Sequence, residues 1–276
     1  MAYEEILYSV EDRIATITLN RPLARNGYTV QMADELGDAL TKAGQDDDVQ
    51  VVVLTGAGDN FCVGADLSGG ELKVAEGSDG SDWVEPATRA TRAMFNLEKP
   101  VIAAIRGAAV GVGSTMILPA DYRIASTDSR FGFVFSRRGL YPEGGSSWFL
   151  PRLVGMGKAS DWMISGRIIP ADEALAAGLV SAVHAPDEVL AKAYELAREL
   201  IATTAPVSTA VIRQALFRMS ALDSPEGAFL LDSKLIGGLA DSADAMEGVI
   251  SFLEKRPPEF TGTVSKDQPD FLPWHR

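Results

Sequence analysis

Apolar and β-branched residues recur in short runs along the first two thirds of the chain. Residues 6–10 and 14–19 alternate with a period of two, which predicts two strands joined by a tight turn. The runs at 49–55 and 101–105 are almost continuously apolar, as expected for strands buried on both faces of a sheet. A further strand is predicted at 122–125. Buried strands separated by helical segments are typical of an α/β core.

Apolar positions three and four residues apart predict helices between and after these strands. Thr29 is the predicted N-cap of the first helix, which runs to about residue 44. The other predicted helices cover residues 82–97, 114–120, 146–154, 158–164, 171–176, 187–203, 207–219, 225–237 and 242–255, with one more strand at 179–183. Residues 68–81, rich in Gly, Ser and acidic side chains, are predicted to form a mobile surface loop.

The pattern divides the chain into three parts. We predict an α/β core over residues 1–200, a helical region over 201–258 and a weakly structured tail over 259–276. With 46% hydrophobic and 23% charged residues, the composition is that of an ordinary globular protein, which excludes disordered and low-complexity classes.

Charge and cysteine content narrow the possible partners. The chain carries 25 Lys and Arg against 38 Asp and Glu, so nucleic acid and anionic membranes are not expected as partners. A single cysteine, Cys62, excludes an intrachain disulfide, and with only two histidines we expect no metal site. The N-terminus lacks the pattern of a signal peptide, and no apolar run approaches the roughly 20 residues of a membrane span. We therefore expect a soluble, cytoplasmic protein.

Two segments share one arrangement of buried strand, glycine-rich break and short helix. They are residues 51–67 (VVVLTGAGDNFCVGADL) and 101–121 (VIAAIRGAAVGVGSTMILPAD). Glycine lets backbone N–H groups approach a ligand closely, and the start of a helix leaves several such donors unpaired. One break of this kind can bind an anion, and two that converge can hold a carbonyl oxygen as it becomes an oxyanion. Tight turns without any ligand fit the spacing equally well.

Other glycine motifs fit less well. A dinucleotide-binding fingerprint needs glycine at 56, 58 and 61, but position 61 is Phe61, which disfavours an NAD(P) oxidoreductase. A nucleophile elbow needs glycine where Trp148 stands, and no Gly-Lys-Ser/Thr phosphate loop occurs.

Five ordered segments resemble the crotonase superfamily of enoyl-CoA hydratases and isomerases. They are LNRP (19–22) with Asn26, TGAGDNFCVGADL (55–67), residues 107–121, PEGGSSWFLPRLVG (142–155) and GRIIPADEALAAGLVSAV (166–183). The resemblance covers roughly residues 5–185 and implies an α/β fold, a crotonase-type spiral of ββα units with a C-terminal helical oligomerisation region. It also implies a homotrimer or a hexamer built as a dimer of trimers, with FLEKRPPEF (252–260) similar to the end of the family's C-terminal helix.

The same resemblance implies an acyl-CoA thioester substrate, with coenzyme A as part of that substrate and no permanently bound cofactor. Two backbone amides of the family form an oxyanion hole for the thioester carbonyl, and they match the amides of Ala65 and Val112. The positions that match coenzyme A contacts are Ala24, Arg25, Asp66, Leu67 and, from a neighbouring subunit, Lys255. Arg25 and Lys255 are the candidates for binding phosphate, and solvated surface charge is the alternative for both.

The chain departs from the family at both glutamates that activate water in a hydratase, where it has Thr115 and Phe135. Glu143 instead matches the catalytic glutamate of a subset of Δ3,Δ2-enoyl-CoA isomerases; its alternative role is to complement the start of the following helix. No other carboxylate is predicted near the pocket. Phe135, Leu140 and Trp148 are candidates for raising the pKa of Glu143 by desolvation, and an ordinary place in the core is the alternative for each of them.

We therefore expect an enoyl-CoA isomerase in which Glu143 moves a proton from C2 to C4 through an enolate. The alternatives are an enoyl-CoA hydratase-like lyase of atypical mechanism, an acyl-CoA thioesterase in which Glu143 activates water, and a coenzyme A-binding protein without catalysis. Asp66 is expected to shape its loop rather than to transfer protons.

Overall fold

The computed structural model describes residues 3–68, 82–239 and 242–275. Apart from Ser68, the segment predicted to be a mobile loop lies outside these residues. The strands in the described ranges are β1 (Ile6–Glu11), β2 (Ile14–Leu19), β3 (Val51–Gly56), β4 (Val101–Ile105), β5 (Ala108–Val110), β6 (Tyr122–Ser126), β7 (Arg130–Gly132), β8 (Ile168–Pro170) and β9 (Ala182–His184). The helices are α1 (Val30–Gln45), α2 (Pro86–Asn96), α3 (Val112–Thr115), α4 (Ser146–Ser165), α5 (Ala171–Ala176), α6 (Val189–Thr203), α7 (Pro206–Met219), α8 (Glu226–Gly238), α9 (Ala243–Glu254) and α10 (Val264–Asp267).

The larger sheet has six strands in the order β1-β2-β3-β4-β6-β9. β1 runs antiparallel to β2, and the other neighbouring pairs are parallel. The two continuously apolar runs, β3 and β4, are therefore neighbours in the middle of the sheet, as their composition predicts. Because they are parallel, the glycine-rich breaks that follow them both begin at the same edge of the sheet.

A second, three-stranded sheet joins β5, β7 and β8, and the sequence analysis missed all three strands. β5 pairs parallel with β7, and β7 pairs antiparallel with β8. Each of these strands has three residues, which is too short for an alternating pattern to stand out among glycines and turns. The strand predicted at 179–183 is displaced, because β9 begins only at Ala182.

Most predicted helices are present within a few residues of their expected ends. The Oγ1 of Thr29 accepts a hydrogen bond from the Met32 amide at 3.0 Å, which confirms Thr29 as the cap of α1. α2 begins at Pro86 rather than at residue 82, because Glu85 caps the helix and proline suits its first turn. α4 spans both helices predicted between 146 and 164, and Gly155, with a φ of 77°, interrupts its helical geometry.

Both faces of the central strands of the larger sheet are buried. Val52 and Leu54 of β3 point into the main core, which also contains the inner faces of α1 and α2. Val51 and Val53 of the same strand point the other way and pack with Ala193 of α6. The strands that lead into the glycine-rich breaks are thus held from both sides, which gives those breaks a rigid support.

The helical region is anchored to the core by a buried arginine. Arg213 of α7 donates from Nε to the Asp121 carboxylate at 2.8 Å and from its terminal nitrogens to several carbonyls, including that of Met94 at 3.0 Å. A buried guanidinium needs such a complete set of acceptors, so Arg213 fixes α7 against α2. No single helix in the described ranges is long and apolar enough to cross a membrane; α6 and α7 reach that length and composition only as a pair bent by 114°.

The C-terminal tail is more ordered than the sequence analysis predicts. It contains α10 and a short 3₁₀ helix, Pro273–His275. Leu272 is fully buried, and the indole Nε1 of Trp274 donates to Glu98 at 3.2 Å. The tail thus has more fixed contacts than expected for a weakly structured segment, because these two side chains hold it against the helical region and the core.

Candidate active site

The two glycine-rich breaks lie side by side. The amide of Cys62 donates to Ala108 O at 2.9 Å, and the amide of Val110 donates to Cys62 O at 2.9 Å. A Cβ atom built on Gly64 would lie 3.2 Å from Val110 O, and one built on Gly111 would lie 3.5 Å from the Cα of Gly64. Both glycines have positive φ angles, 103° and 58°, so the close approach depends on glycine at both positions.

The amides of Ala65 and Val112 lie on these adjoining segments. The residues beside Ala65 are held by Tyr28, whose amide donates to Gly64 O at 2.8 Å and whose carbonyl accepts from Asp66 N at 2.9 Å. Val112 is the first residue of α3, where an N–H group has no partner within the helix. Among the described residues, neither the Ala65 nor the Val112 amide donates to another backbone group. Two backbone donors are thus available next to each other.

Glu143 lies in the loop that precedes α4 and is partly buried. Its carbonyl accepts a hydrogen bond from the Ser146 amide at 2.9 Å. The next residue, Gly144, has a φ of 55°, and a Cβ atom there would lie 2.6 Å from the Cγ2 of Thr115 and 3.2 Å from that of Thr91. The loop is therefore wedged between α2 and α3, and α3 is the helix that begins with Val112.

Burial and a second carboxylate set the electrostatics of Glu143. Burial, followed by the negative charge of Glu85, raises the pKa of the Glu143 carboxyl to about 7. Burial, with a contribution from the charge of Glu143, raises the pKa of the Cys62 thiol to about 12. The pKa of the Tyr28 hydroxyl is also raised, mainly by burial, with Glu143 among the charges that contribute. The negative charge of Glu143 thus contributes to the raised pKa of Cys62, in the first glycine segment, and of Tyr28, which is hydrogen-bonded to that segment.

Glu85 is a site residue that the sequence analysis missed. Its Oε2 accepts from the Ala87 amide at 2.7 Å, which caps α2, and its Oε1 accepts from the Gly144 amide at 2.7 Å. The hydroxyl of Thr88 also donates to it. The expectation that no other carboxylate lies near the pocket is therefore wrong. Acid followed by proline is a signal for a helix start, and it would have placed Glu85 at the cap of α2 rather than within the helix.

The positions of the two hydratase glutamates contain side chains that do not act as acids or bases here. Thr115 is fully buried, and its hydroxyl donates to Gly111 O at 3.3 Å. Phe135 is buried, and with Leu140 and residues of α4 it lines a groove of about 410 Å³. Trp148 instead packs edge-on against Phe95 and Phe149. Glu143 is partly buried. That Phe135, Leu140 and Trp148 are the side chains that bury it stays a prediction.

Known proteins of similar sequence identify the family of this chain. A family model described as enoyl-CoA hydratase/isomerase matches residues 9–263. The chain belongs to this family. It is 39% identical over 254 residues to an enoyl-CoA hydratase from Alternaria alternata, covering 92% of this chain and 84% of that protein. It is 36% identical over 266 residues to the 1,2-epoxyphenylacetyl-CoA isomerase of Escherichia coli, covering 94% and 99%.

Solved structures agree with this membership. The crystal structure of an enoyl-CoA hydratase from Bacillus anthracis superposes with a TM-score of 0.86 at 30% identity, over 94% of this chain and 100% of that one. The crotonase fold predicted from the sequence is thereby confirmed, and the chain is an acyl-CoA enzyme of the enoyl-CoA hydratase/isomerase family. In the described residues, no group of three or more His, Cys, Asp and Glu side chains is arranged to hold a metal ion.

Four of the five residues predicted to contact coenzyme A lie on two adjoining loops, and the fifth, Lys255, lies in the helical region. Ala24 ends a 3₁₀ helix, and Arg25 follows it with a φ of 51° and an exposed side chain. A Cβ atom built on Gly27 would lie 3.3 Å from both Ala24 O and the Cβ of Asp66, so the first loop contacts the second. Leu67 is exposed on the second loop. Lys255 is exposed at the end of α9, in the helical region.

Asp66 and Asn26 stabilise these loops. Hydrogen bonds from Ser68, followed by the guanidinium of Arg21 at 2.8 Å, lower the pKa of Asp66 to about 2. The fully buried Asn26 accepts from the Arg21 amide at 2.9 Å and donates to Asn60 O at 2.8 Å. The family motif residue Asn26 therefore ties the first loop to the first glycine break, and Asp66 acts as a fixed negative charge.

Proposed function

We propose that this enzyme shifts the double bond of an enoyl-CoA, with Glu143 as the group that removes and returns the proton. The observation that carries the proposal is a partly buried carboxyl whose pKa is raised to about 7, beside two adjoining glycine segments. The replacement of both hydratase glutamates by Thr115 and Phe135 supports it. So does the similarity to a relative named an isomerase, the 1,2-epoxyphenylacetyl-CoA isomerase.

The amides of Ala65 and Val112 hold the thioester carbonyl oxygen. When the proton leaves C2, negative charge develops on that oxygen, and both hydrogen bonds become stronger than they are in the ground state. Loss of one such donor typically costs about 10²–10³ in rate, or about 2.7–4 kcal/mol. Because both donors are backbone groups of a rigid segment pair, they need no rearrangement during the reaction.

Glu143 carries the proton between C2 and C4. In its ionised form it removes a C2 proton from a 3-enoyl-CoA, which leaves a dienolate on the thioester. The protonated carboxyl then returns the same proton to C4, and the double bond moves into conjugation with the carbonyl. A pKa of about 7 suits both halves of this cycle, since the group exchanges protons readily near neutral pH. No water is consumed and no atom is lost.

Hydration is the second candidate, and two observations favour it. Several relatives are named hydratases, and Glu85 places a second carboxylate beside Glu143. However, both oxygens of Glu85 already accept hydrogen bonds from Ala87, Thr88 and Gly144. A carboxylate occupied in this way is poorly placed to orient a water molecule, which is why we favour isomerisation.

We also propose how the substrate and the subunits are arranged. Ala24, Arg25, Asp66 and Leu67 border the coenzyme A moiety, with Arg25 and the Lys255 of a neighbouring subunit on its phosphates. The helical region forms a homotrimer, or a hexamer made of two trimers. Large apolar side chains exposed on α7, α8 and α9 support this assembly: Ile212, Leu216, Phe229, Leu230, Ile236, Met246, Val249, Phe252 and Leu253.

The Glu143→Gln variant tests the proposed function. Wild-type enzyme should convert a 3-enoyl-CoA to a 2-enoyl-CoA of the same mass, and E143Q should lose activity by about 10³-fold or more. Glu188→Gln is a matched control, because Glu188 is an exposed glutamate at the N-terminus of α6 and carries the same isosteric change. Activity of E143Q within about tenfold of wild type would remove Glu143 from the mechanism. A product heavier by one water would identify a hydratase, and free coenzyme A would identify a thioesterase.

A further inference from the structure

We propose that Glu85 is a positioning residue for the catalytic loop: it ties the Glu143–Gly144 peptide to the start of α2 and supplies the fixed charge that Glu143 faces. The inference rests on the proposed role of Glu143 as the proton carrier. Glu85 does not contact the reacting atoms in this account, and it acts only through its neighbour.

The hydrogen bonds of Glu85 connect two separate parts of the fold. One carboxylate oxygen caps α2 through the Ala87 amide, and the other accepts the Gly144 amide, each at 2.7 Å. Gly144 directly follows Glu143, so this bond fixes the orientation of the peptide group from which the Glu143 side chain starts. The hydroxyl of Thr88 completes the set of donors and holds the Glu85 carboxylate in place.

Packing around Gly144 makes this bond a precise restraint. The loop lies against the methyl groups of Thr115 and Thr91, at 2.6 and 3.2 Å from the position of a Cβ atom on Gly144. Within this confined loop, the amide of Gly144 donates to Glu85 at 2.7 Å. An error of about 1 Å in the position of a reacting group can cost about 10²-fold in rate, so such a restraint matters for catalysis.

Among the titratable groups near Glu143, Glu85 is the one whose charge raises the pKa of Glu143, so Glu85 is the residue to mutate. Cys62 and Tyr28 also lie within electrostatic reach, but the pKa of each is raised, so both are uncharged at neutral pH. Arg89 of α2 is engaged elsewhere, since it pairs with Asp34 at 2.7 Å and donates to Val84 O at 3.0 Å. Burial and the charge of Glu85 are thus the two causes that hold the pKa of Glu143 up.

The Glu85→Gln variant removes the negative charge and keeps one of the two acceptor oxygens, so it cannot accept from both the Ala87 and the Gly144 amides. Glutamine keeps an oxygen that can accept the Gly144 amide and loses the negative charge. We expect the pKa of Glu143 to fall in E85Q by about half a unit or more. The acid limb of kcat/KM should move to lower pH by the same amount. Glu85→Ala removes the acceptor as well, and its kcat should fall by about tenfold to a hundredfold with little change in KM.

The experiment is a pH titration by ¹³C NMR of protein labelled at the glutamate carboxyl carbons. The resonance of Glu143 is identified by its disappearance in E143Q, and its midpoint is compared in wild type, E85Q and the control E188Q. A lower midpoint in E85Q alone supports the inference. A midpoint that is unchanged in E85Q overturns it, because a residue that only caps α2 would leave the titration of Glu143 as it is.

This readout separates the inference from the proposed function. If E143Q stays active while the midpoint falls in E85Q, the proposed function fails and the coupling of the two carboxylates stands. If E143Q is inactive while the midpoint is unchanged in E85Q, the proposed function stands and the inference fails. Circular dichroism melting of E85Q and E85A shows whether each variant is folded before it is titrated.

Discussion

Gly64 and Gly111 stand against each other across the two breaks, so that a Cβ atom on Gly111 would lie 3.5 Å from the Cα of Gly64. Each glycine directly precedes the residue whose amide we assign to the oxyanion hole. The distance between the two amides is therefore set by two positions at which any side chain would force the segments apart or strain the backbone.

Gly64→Ala should reduce kcat by about 10²-fold or more. The φ of 103° is unfavourable for alanine, and the new Cβ atom would meet Val110 O at 3.2 Å, so the Ala65 amide would move away from its neighbour. Steady-state kinetics with an acyl-CoA substrate measures the effect. Gly157→Ala is the control, because nothing lies within 4 Å of its Cβ position; loss of activity in both variants would contradict the account.

The pH dependence of kcat/KM should show an acid limb near the raised pKa of Glu143, about 7. The carboxyl must be ionised to remove the C2 proton, so activity rises with pH up to that value and then levels off. A pH profile over about 5 to 9 measures it. An acid limb near the ordinary carboxyl value of 4.5 would show that another group, or an unburied Glu143, does the work.

The ionisation of Glu143 should also make the stability of the folded protein depend on pH. Stability should fall as pH rises, whereas activity should increase. Since the folded-state pKa of Glu143 lies above its ordinary value of 4.5, the folded state binds its proton more tightly than the unfolded state does. The wild type therefore loses stability relative to E143Q as pH rises from 4.5 through about 7, by about 3 kcal/mol in total. Thermal melts at pH 5 and pH 8 test this, and an equal Tm difference at both values would refute it.

Thr115→Glu should not create a hydratase, although it restores a glutamate at a family position. The Cγ2 of Thr115 already lies 2.6 Å from the Cβ position of Gly144, so a longer side chain would displace the loop of Glu143. We expect isomerisation to fall by about tenfold or more with no product of higher mass. Thr115→Ser, which only removes the methyl group, is the matched control. Formation of a hydrated product by T115E would show that the loop tolerates the change.

Arg25→Ala should raise KM for acyl-CoA substrates by about threefold to tenfold and leave kcat nearly unchanged. Arg25 is an exposed cation on the loop that contacts Asp66, and we propose that it acts on the bound nucleotide phosphates and not on the reacting carbons. The difference should shrink at high salt, because exposed charges are screened. Arg198→Ala, which removes an exposed arginine of α6, is the control; equal effects of both variants would indicate general electrostatics.

The sequence predicts the frame of the fold well, since β2, β3 and β4 carry strong β-branched patterns and α1 carries a clear cap at Thr29. It also predicts the two glycine breaks, because glycine at such positions reflects local backbone requirements. It misses β5, β7 and β8, whose three-residue lengths carry no period, and it misses the packing of Leu272, which depends on residues distant in the chain.

Glu85 shows why a site is harder to predict than a fold. Its hydrogen bond to Gly144 joins residues 59 positions apart, and no local sequence pattern at either residue predicts this bond. Glu143 is found by its motif, but the rise of its pKa arises from burial and from Glu85, which only the folded chain brings together. The resemblance to a family identifies the position of a candidate catalytic residue such as Glu143. The structure identifies the neighbouring residues that shift its pKa.

The most direct test is the product formed from a 3-enoyl-CoA that carries deuterium at C2. If Glu143 takes a proton from C2 and returns it to C4, the 2-enoyl-CoA product has the mass of the substrate and part of the deuterium at C4, and E143Q forms almost none of it. A product heavier by one water, or the same label transfer at full rate by E143Q, would contradict the account.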